Sequence, residues 1–197
     1  MFISSPSETD AVRAMYDKAV REDGYVSNLE RLWAWRPDAH EAFVAARMAL
    51  NKSTSLSDRE RAVLVCATAR TMGDSYCSLA WGERLAKLAS PEAAADLLGS
   101  GDARTLSARE RALAAWARKV VDDPNGTQAD DVAALHAARL TDQDIFDATL
   151  FIALRQAFST VNDALGASPD RQLADSVPDA VRDAVTYGRA PGVEPSR

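Results

Sequence analysis

The chain has 197 residues, of which 47% are hydrophobic and 26% are charged, and its formal net charge is −6. This length can bury one substantial core, and the negative charge argues against nucleic acid as a partner, because phosphate contacts need a basic face. The sequence has no run of 18 apolar residues, and its first residues lack the basic and apolar regions of a signal peptide. No membrane segment is therefore expected, and the predicted location is cytoplasmic.

The first fifty residues carry the signals of three helices. Ser7 with Asp10 can cap the first helix, and Gly24 is a plausible stop. A second, short helix from about Ser27 must end before Pro37, and that proline suits the first turn of the third helix. Apolar residues recur at helical spacing in all three segments.

The middle of the chain contains a repeated motif. Leu56-Ser57-Asp58-Arg59-Glu60-Arg61-Ala62 recurs 50 residues later as Leu106-Ser107-Ala108-Arg109-Glu110-Arg111-Ala112. In each copy the serine and the glutamate three residues on predict a capping box at a helix start. The repeat predicts two related helical units, over about 53–100 and 103–167. The arginine and glutamate side chains of both copies are interpreted as capping and solvated charge rather than as catalytic groups.

Helical signals continue through the rest of the chain, and no segment alternates apolar and polar residues for long enough to predict a strand. The expected later elements are a short helix from Ser90-Pro91, a turn at Pro124-Asn125-Gly126, and helices over about 127–138, 141–165 and 178–187. The sequence therefore predicts an all-α bundle of about eight or nine helices. It would be a single domain over 1–187, followed by a disordered tail over 188–197.

Cys77 is the residue with the strongest claim to chemistry. Gly73 should break one helix and Asp74 should cap the next, which places Cys77 in the first turn, where free N–H groups favour a thiolate. Against a reactive thiol, the charge of Asp74 disfavours a second anion nearby. Cys77, Trp81 and Leu85 also have the spacing of an ordinary core stripe, and cysteine is among the most buried residue types. Cys77 is therefore either a working thiol or a core residue.

The other cysteine and the two histidines give weaker signals. Cys66 lies within an apolar run and is interpreted as an inert core residue. A disulfide between Cys66 and Cys77 would have marginal geometry across two antiparallel helices. His40 and His136 are not placed beside Cys77 by the sequence, and both are predicted to be surface residues.

The remaining motifs point to no cofactor. Trp33 and Trp35, near Tyr25, could line a pocket, although anchors in a core or a subunit interface are the more ordinary use of such residues. No His/Cys/Asp cluster has metal-ligand spacing, and no glycine-rich phosphate loop or nucleophile elbow is present. Neither a metal nor an organic cofactor is expected.

The order of several motifs resembles a known family. Leu-Ser-x-Arg-Glu-Arg-Ala is followed by a helix and then by Gly73-Asp74-Ser75-Tyr76-Cys77, which opens another helix. This order is similar to the alkylhydroperoxidase D-like, or carboxymuconolactone decarboxylase, superfamily, and in particular to its uncharacterised peroxidase-related branch. The similarity runs from about residue 15 to residue 172. Further matching segments are Gly24-Tyr25-Val26-Ser27-Asn28-Leu29, the second copy of the repeated motif, Leu140-Thr141-Asp142-Gln143-Asp144-Ile145, and Asn162-Asp163-Ala164-Leu165-Gly166 with Pro169-Asp170.

The resemblance implies an all-α bundle that assembles into homo-dimers, trimers or hexamers, and a peroxidase-type antioxidant oxidoreductase activity. Active members use Cys-x-x-Cys-x-x-x-His with a glutamate twelve residues before the first cysteine. In this chain those positions hold Asp74, Cys77, Trp81 and Ala62. Aspartate cannot form the disulfide, the indole has no basic nitrogen, and alanine relays no proton. Ordinary two-cysteine turnover is therefore not expected, since losing one part of a coupled site removes most of its rate.

Two classes of function remain. In the first, Cys77 is oxidised by a peroxide to sulfenic acid and resolved by an external thiol, or Asp74 acts as a general base on a small organic substrate that contacts Trp81 and Tyr76. In the second, the protein is a non-catalytic oligomer that binds a ligand or a partner.

Overall fold

The computed structural model describes residues 1–100 and 104–192, and all regular structure within these ranges is helical. No helix in the described ranges has the length and hydropathy that crossing a membrane requires. Residues 1–100 and 104–192 form eleven α-helices and one short 3-10 helix, at 124–126. The α-helices are α1 (Asp10–Asp23), α2 (Asn28–Trp33), α3 (Pro37–Ser53), α4 (Asp58–Met72), α5 (Ser75–Leu88), α6 (Pro91–Leu98), α7 (Ala108–Asp122), α8 (Ala129–Ala137), α9 (Asp142–Ala164), α10 (Arg171–Ser176) and α11 (Asp179–Ala184).

Helix α4 lies at the centre of the bundle and packs against α5, α7 and α9. Every residue from Ala62 to Ala69 is buried, because this stretch is apolar on all faces apart from Thr68. The hydroxyl of Thr68 is satisfied by the carbonyl of Leu64, 2.8 Å away in the preceding turn. The prediction of an all-α bundle with a buried helix after the first capping box is confirmed.

The two copies of the repeated motif pack against each other where α4 and α7 begin. Both predicted capping boxes are present, at Ser57 and at Ser107. Arg59 Nε lies 2.6 Å from Glu110 Oε1, and Arg109 Nε lies 2.6 Å from Glu60 Oε1. The arginine of each copy therefore pairs with the glutamate of the other copy, and we call these two ion pairs the exchange.

This exchange corrects the interpretation of those side chains as solvated charge. Glu110 is only 6% exposed, and Glu60 is partly buried in its contact with Arg109. The glutamates cap their own helices and neutralise an arginine from the neighbouring helix at the same time. The sequence could show the cap, which is local, but not the partner some 50 residues away.

The turn between α4 and α5 positions the candidate site. Gly73 has φ of 74°, a left-handed conformation that ends α4 at little steric cost only for glycine. Asp74 then caps α5 by accepting a hydrogen bond from the backbone N–H of Cys77, 2.9 Å away. Further along α5, Gly82 allows close packing, since a Cβ there would lie 2.6 Å from Val181 and 2.7 Å from Leu98.

The C-terminal part differs from the expectation in two places. Helix α10 forms where the sequence is only weakly periodic, and the described residues contain eleven α-helices where about eight or nine were predicted. Residues 188–192 belong to the predicted disordered tail, yet Arg189 N–H donates to Ser75 Oγ and Ser75 Oγ donates to the carbonyl of Arg189. Residues 193–197 of that tail lie outside the described residues.

Candidate functional site

The candidate site forms where the first turn of α5 packs against the middle of α9. Helix α5 supplies Asp74, as its cap, and Cys77, while α9 supplies Arg155 and Ser159. These four side chains are all at most 7% exposed. A buried cluster of a thiol, a carboxylate, a guanidinium and a hydroxyl is costly to desolvate, so its members need one another as partners.

The thiol of Cys77 has two polar neighbours. Arg155 Nη1 donates to Cys77 Sγ across 3.5 Å, and Ser159 Oγ lies 3.7 Å from the same sulfur. Ser159 also donates a hydrogen bond to Asp74 Oδ2, 2.5 Å away. The thiol, the hydroxyl and the carboxylate therefore form a continuous hydrogen-bonded chain.

The thiol is held mainly in its neutral form. Burial raises the pKa of Cys77 to about 12; the guanidinium of Arg155 opposes this rise, and the charge and hydrogen bond of Asp74 add to it. Burial dominates because the Cys77 side chain is 2% exposed. Formation of a thiolate here needs either a proton acceptor within the site or the entry of solvent.

Arg155 is an unusual buried cation. Among residues 1–100 and 104–192 no carboxylate lies within ion-pair distance of its guanidinium. Its charge is instead placed over the ring of Trp81, 5.3 Å from the centroid, and over the ring of Phe158 at 5.4 Å. Arg84 lies 5.2 Å from the Trp81 centroid as well. Trp81, predicted to contact a substrate, thus contacts the cation beside the thiol.

An aromatic cluster separates Cys77 from a cleft. Phe158 packs against Cys77 and stacks on Trp33 with ring centroids 5.2 Å apart, and Phe43 completes the cluster. Trp33 is fixed by a 2.9 Å hydrogen bond from its Nε1 to Asn162 Oδ1. The cleft has a volume of about 290 Å³, and Phe43 and Phe158 form part of its wall. Phe158 is therefore shared between the thiol and the cleft.

Tyr76, which was predicted from the sequence to contact a substrate, is bonded to a carboxylate of the chain itself. Its hydroxyl donates to Asp170 Oδ2, and the other oxygen of that carboxylate accepts from the backbone N–H of Asn28 at 2.9 Å. Tyr76 is 5% exposed, and burial raises its pKa. Within the chain, Tyr76 ties α5 to the starts of α2 and α10.

The other candidates are dispersed. Cys66 and Cys77 are both free thiols, and burial raises the pKa of Cys66. His136 lies in α8 with its Nδ1 2.9 Å from the carbonyl of Leu140. His40 instead lines the cleft, against Trp33, and Trp35 is 47% exposed with its Nε1 bonded to the Ser4 carbonyl. The described part of the chain contains no group of three or more potential metal ligands.

Sequence inspection missed Arg155 and Ser159, although a signal for them exists. From Ala148 onward, one buried stripe of α9 begins with small and apolar residues and then becomes polar. A helix that buries such a stripe must pair it with something polar. The stripe consists of Ala148, Ile152, Arg155, Ser159 and Asn162.

No protein-family model and no curated protein matches the chain. Solved structures do match it. An uncharacterised peroxidase-related protein from Ralstonia eutropha JMP134, described as an alkylhydroperoxidase AhpD core, is 25% identical, covers 97% of both chains and has a TM-score of 0.76. A peroxidase-related protein from Silicibacter sp. TM1040 is 20% identical, with 87% of this chain and 93% of that chain covered and a TM-score of 0.78.

A third structure with the same fold is the debrominase Bmp8, which is 12% identical and has a TM-score of 0.72. The match covers 92% of this chain and 98% of the debrominase chain. A cysteine-to-alanine variant of that debrominase, in complex with 2,3,4-tribromopyrrole, also matches, with a TM-score of 0.69. The chain therefore has the alkylhydroperoxidase D-like fold and resembles the peroxidase-related branch of that superfamily, as its motifs predicted.

Proposed function

We propose that the protein is a one-cysteine, peroxidase-type enzyme in which Cys77 reduces small organic hydroperoxides. The observation that carries the proposal is the guanidinium of Arg155, which is buried without a carboxylate partner among the described residues and donates to Cys77 Sγ. A cation in this position stabilises a thiolate and the negative charge that develops on the leaving oxygen.

The hydrogen-bonded chain supplies the proton acceptor that the missing histidine would have provided. The thiol proton passes through Ser159 to Asp74, since the hydroxyl already donates to that carboxylate. The thiolate then attacks the terminal oxygen of the hydroperoxide. An S–O bond forms, the O–O bond breaks, and the leaving alkoxide takes the proton from Asp74 to give an alcohol and Cys77 sulfenic acid.

Resolution requires a thiol from outside the chain. The position of a resolving cysteine holds Asp74, and the other cysteine of the sequence, Cys66, is fully buried in α4. An external thiol attacks the sulfenic sulfur and releases water, which leaves a mixed disulfide on Cys77. A second external thiol cleaves that disulfide, and the products are free Cys77 and an oxidised thiol pair.

Access to Cys77 must involve the aromatic cluster. The thiol is 2% exposed, and Phe158 lies between it and the cleft. A change of the Phe158 rotamer would join the cleft to the thiol without moving the backbone of α9. The apolar wall of the cleft suits an organic hydroperoxide better than hydrogen peroxide.

A second candidate is a non-catalytic oligomeric protein that binds a ligand or a partner. It is favoured by the burial of Cys77, by the rise of its pKa to about 12, and by Trp81 at the position of the family's histidine. In this case Arg155, Trp81 and Phe158 serve to pack the former pocket.

The two candidates are separated by trapping the sulfenic acid. The full chain is treated with cumene hydroperoxide in the presence of dimedone, and adducts are located by mass spectrometry. We expect one adduct on Cys77, sustained peroxide consumption with dithiothreitol, loss of both in Cys77→Ser, and retention in Cys66→Ala. Absence of the adduct in the native protein, together with a thiol that reacts only after unfolding, would favour the non-catalytic candidate.

A further inference from the structure

The second cation near Cys77 is Arg47 of α3, which is half-buried in the wall of the cleft. Among the described residues Arg47 makes no ion pair and no side-chain hydrogen bond. Arg84, the third arginine of this region, does have an acidic neighbour, since its Nη2 lies 3.6 Å from Asp58 Oδ1. A half-buried guanidinium with no partner is costly in an isolated protein, because it loses water without gaining an acceptor.

Arg47 shares the wall of the cleft with Phe158, the residue that links the cleft to the thiol. Phe158 belongs to the same apolar cluster as Cys77, and the guanidinium of Arg155 lies 5.4 Å from the centroid of its ring. Burial lowers the pKa of Arg47, and the charges of Arg155 and Arg84 lower it further. Arg47 therefore lies within electrostatic reach of two further cations.

The two acidic residues of the cleft wall leave Arg47 without an ion pair. Glu30 is held in the capping box of α2, where its Oε2 accepts from the backbone N–H of Ser27 at 2.7 Å. Glu22 is the other acidic residue of the wall, and it makes no ion pair with Arg47. Most of the remaining wall is apolar, with Leu29, Phe43, Val44 and Phe158 among its members.

We propose that Arg47 binds the carboxylate of the substrate, so that the preferred substrates are hydroperoxides with an apolar, ring-sized body and one carboxylate. The inference rests on the proposed peroxidase function and adds a substrate class to it. The body packs between Phe43 and Phe158, Arg47 forms a bidentate pair with the carboxylate, and the hydroperoxide group reaches Cys77 beside Arg155. A cleft of about 290 Å³ has room for a molecule of this size.

Binding is tested first, without chemistry. Calorimetry on the full chain compares 4-isopropylbenzoate with its neutral isostere 4-isopropylbenzamide. We expect the benzoate to bind at least about tenfold more tightly, Arg47→Gln to abolish that preference, and Arg47→Lys to keep most of it. Lys52→Gln is the matched control, because Lys52 is an exposed cation of the same helix and does not line the cleft. Equal affinities, no binding of either compound, or a preference that survives in Arg47→Gln would overturn the proposal.

Turnover is tested second, with cumene hydroperoxide and its para-carboxylated analogue. The ratio of their kcat/KM values should favour the carboxylated compound by about tenfold and should fall towards one in Arg47→Gln. Preferential binding of the benzoate without turnover of either peroxide would refute the peroxidase function and leave the carboxylate site standing. Turnover of both peroxides with a kcat/KM ratio near one would support the peroxidase function and refute the carboxylate site.

Discussion

Ser159 Oγ lies 2.5 Å from Asp74 Oδ2 and 3.7 Å from Cys77 Sγ, so a hydroxyl from the middle of α9 connects the thiol to the carboxylate that caps α5. A hydroxyl has one proton, and while it donates that proton to Asp74 its lone pairs can accept the proton of the thiol. The arrangement allows a proton to leave Cys77 without solvent in the site. Four predictions follow from this geometry and from the packing around it.

Asp74→Asn should make Cys77 more acidic and yet lower the peroxidase turnover. Asp74 raises the pKa of Cys77, so its neutral replacement should lower that pKa and speed alkylation by iodoacetamide near neutral pH several-fold. If Asp74 receives the thiol proton, the same variant should lose at least about tenfold in peroxidase kcat/KM. Asparagine is also a good helix cap, so α5 should persist.

The matched comparison for Asp74→Asn is Ser159→Ala, which keeps the carboxylate and removes the connecting hydroxyl. It should lower peroxidase turnover without accelerating alkylation. A rise in both alkylation and turnover in Asp74→Asn would show that the carboxylate only opposes the thiolate.

Arg155→Gln should make Cys77 less reactive. The guanidinium lowers the pKa of the thiol, and each unit of pKa changes the thiolate fraction tenfold at a pH below that pKa. We expect alkylation at pH 8 to slow by roughly threefold to tenfold, measured by mass spectrometry of the native protein. Arg84→Gln is the control, since it removes a cation from the same Trp81 ring without a contact to Cys77. Equal alkylation rates in the two variants would show that Arg155 does not control the reactivity of Cys77.

Glu110→Gln should destabilise the protein through the reciprocal ion pairs. The glutamate is 6% exposed and pairs with Arg59, while glutamine can still serve in the capping box of α7. We expect a loss of about 1–2 kcal/mol in the free energy of unfolding, measured with urea. Asp175→Asn, which breaks an ion pair with both side chains more than 70% exposed, should change it by less than about 0.5 kcal/mol. A similar loss of unfolding free energy in both variants would show that the ion pair of Glu110 with Arg59 stabilises the protein no more than an exposed pair does.

Asp163→Asn should change the pH dependence of stability. Burial, followed by the charge of Asp74, raises the pKa of Asp163 to about 6, while Arg189 lowers it. The folded protein then binds a proton that the unfolded chain has released, so stability falls as pH rises from about 4 to about 6. Relative to the wild type, the free energy of unfolding of the variant should rise across that range. At pH 7 it should be higher by about 1 kcal/mol after allowance for solvent screening.

The gain in Asp163→Asn should be absent at pH 4, where the carboxyl is largely protonated in the folded protein. Denaturant titrations at pH 4, 5, 6 and 7 measure it, with the exposed Asp183→Asn as the control. A constant difference across the four pH values would mean that the Asp163 carboxylate is not perturbed by folding.

Features that depend on neighbours along the chain could be predicted well. The boxes at Ser57 and Ser107, the glycine stop at Gly73 and the cap at Asp74 all form as expected. Each is a contact between residues at most four positions apart, so the residue types alone specify it. The apolar stretch of α4 likewise specified its own burial, and the order of these signals was enough to indicate the fold.

The partners of Cys77 depended on the packing of distant helices. Arg155 and Ser159 follow Cys77 by 78 and 82 residues, and only the contact between α5 and α9 brings them to its sulfur. The same holds for Arg59 and Glu110, which were expected to be solvated and instead pair across two helices. The sequence by itself determined the helices and their caps, because these are local properties. Only the tertiary structure decided that Cys77 is buried beside an arginine and a hydroxyl, because helix packing sets both the dielectric around a thiol and the charges that face it.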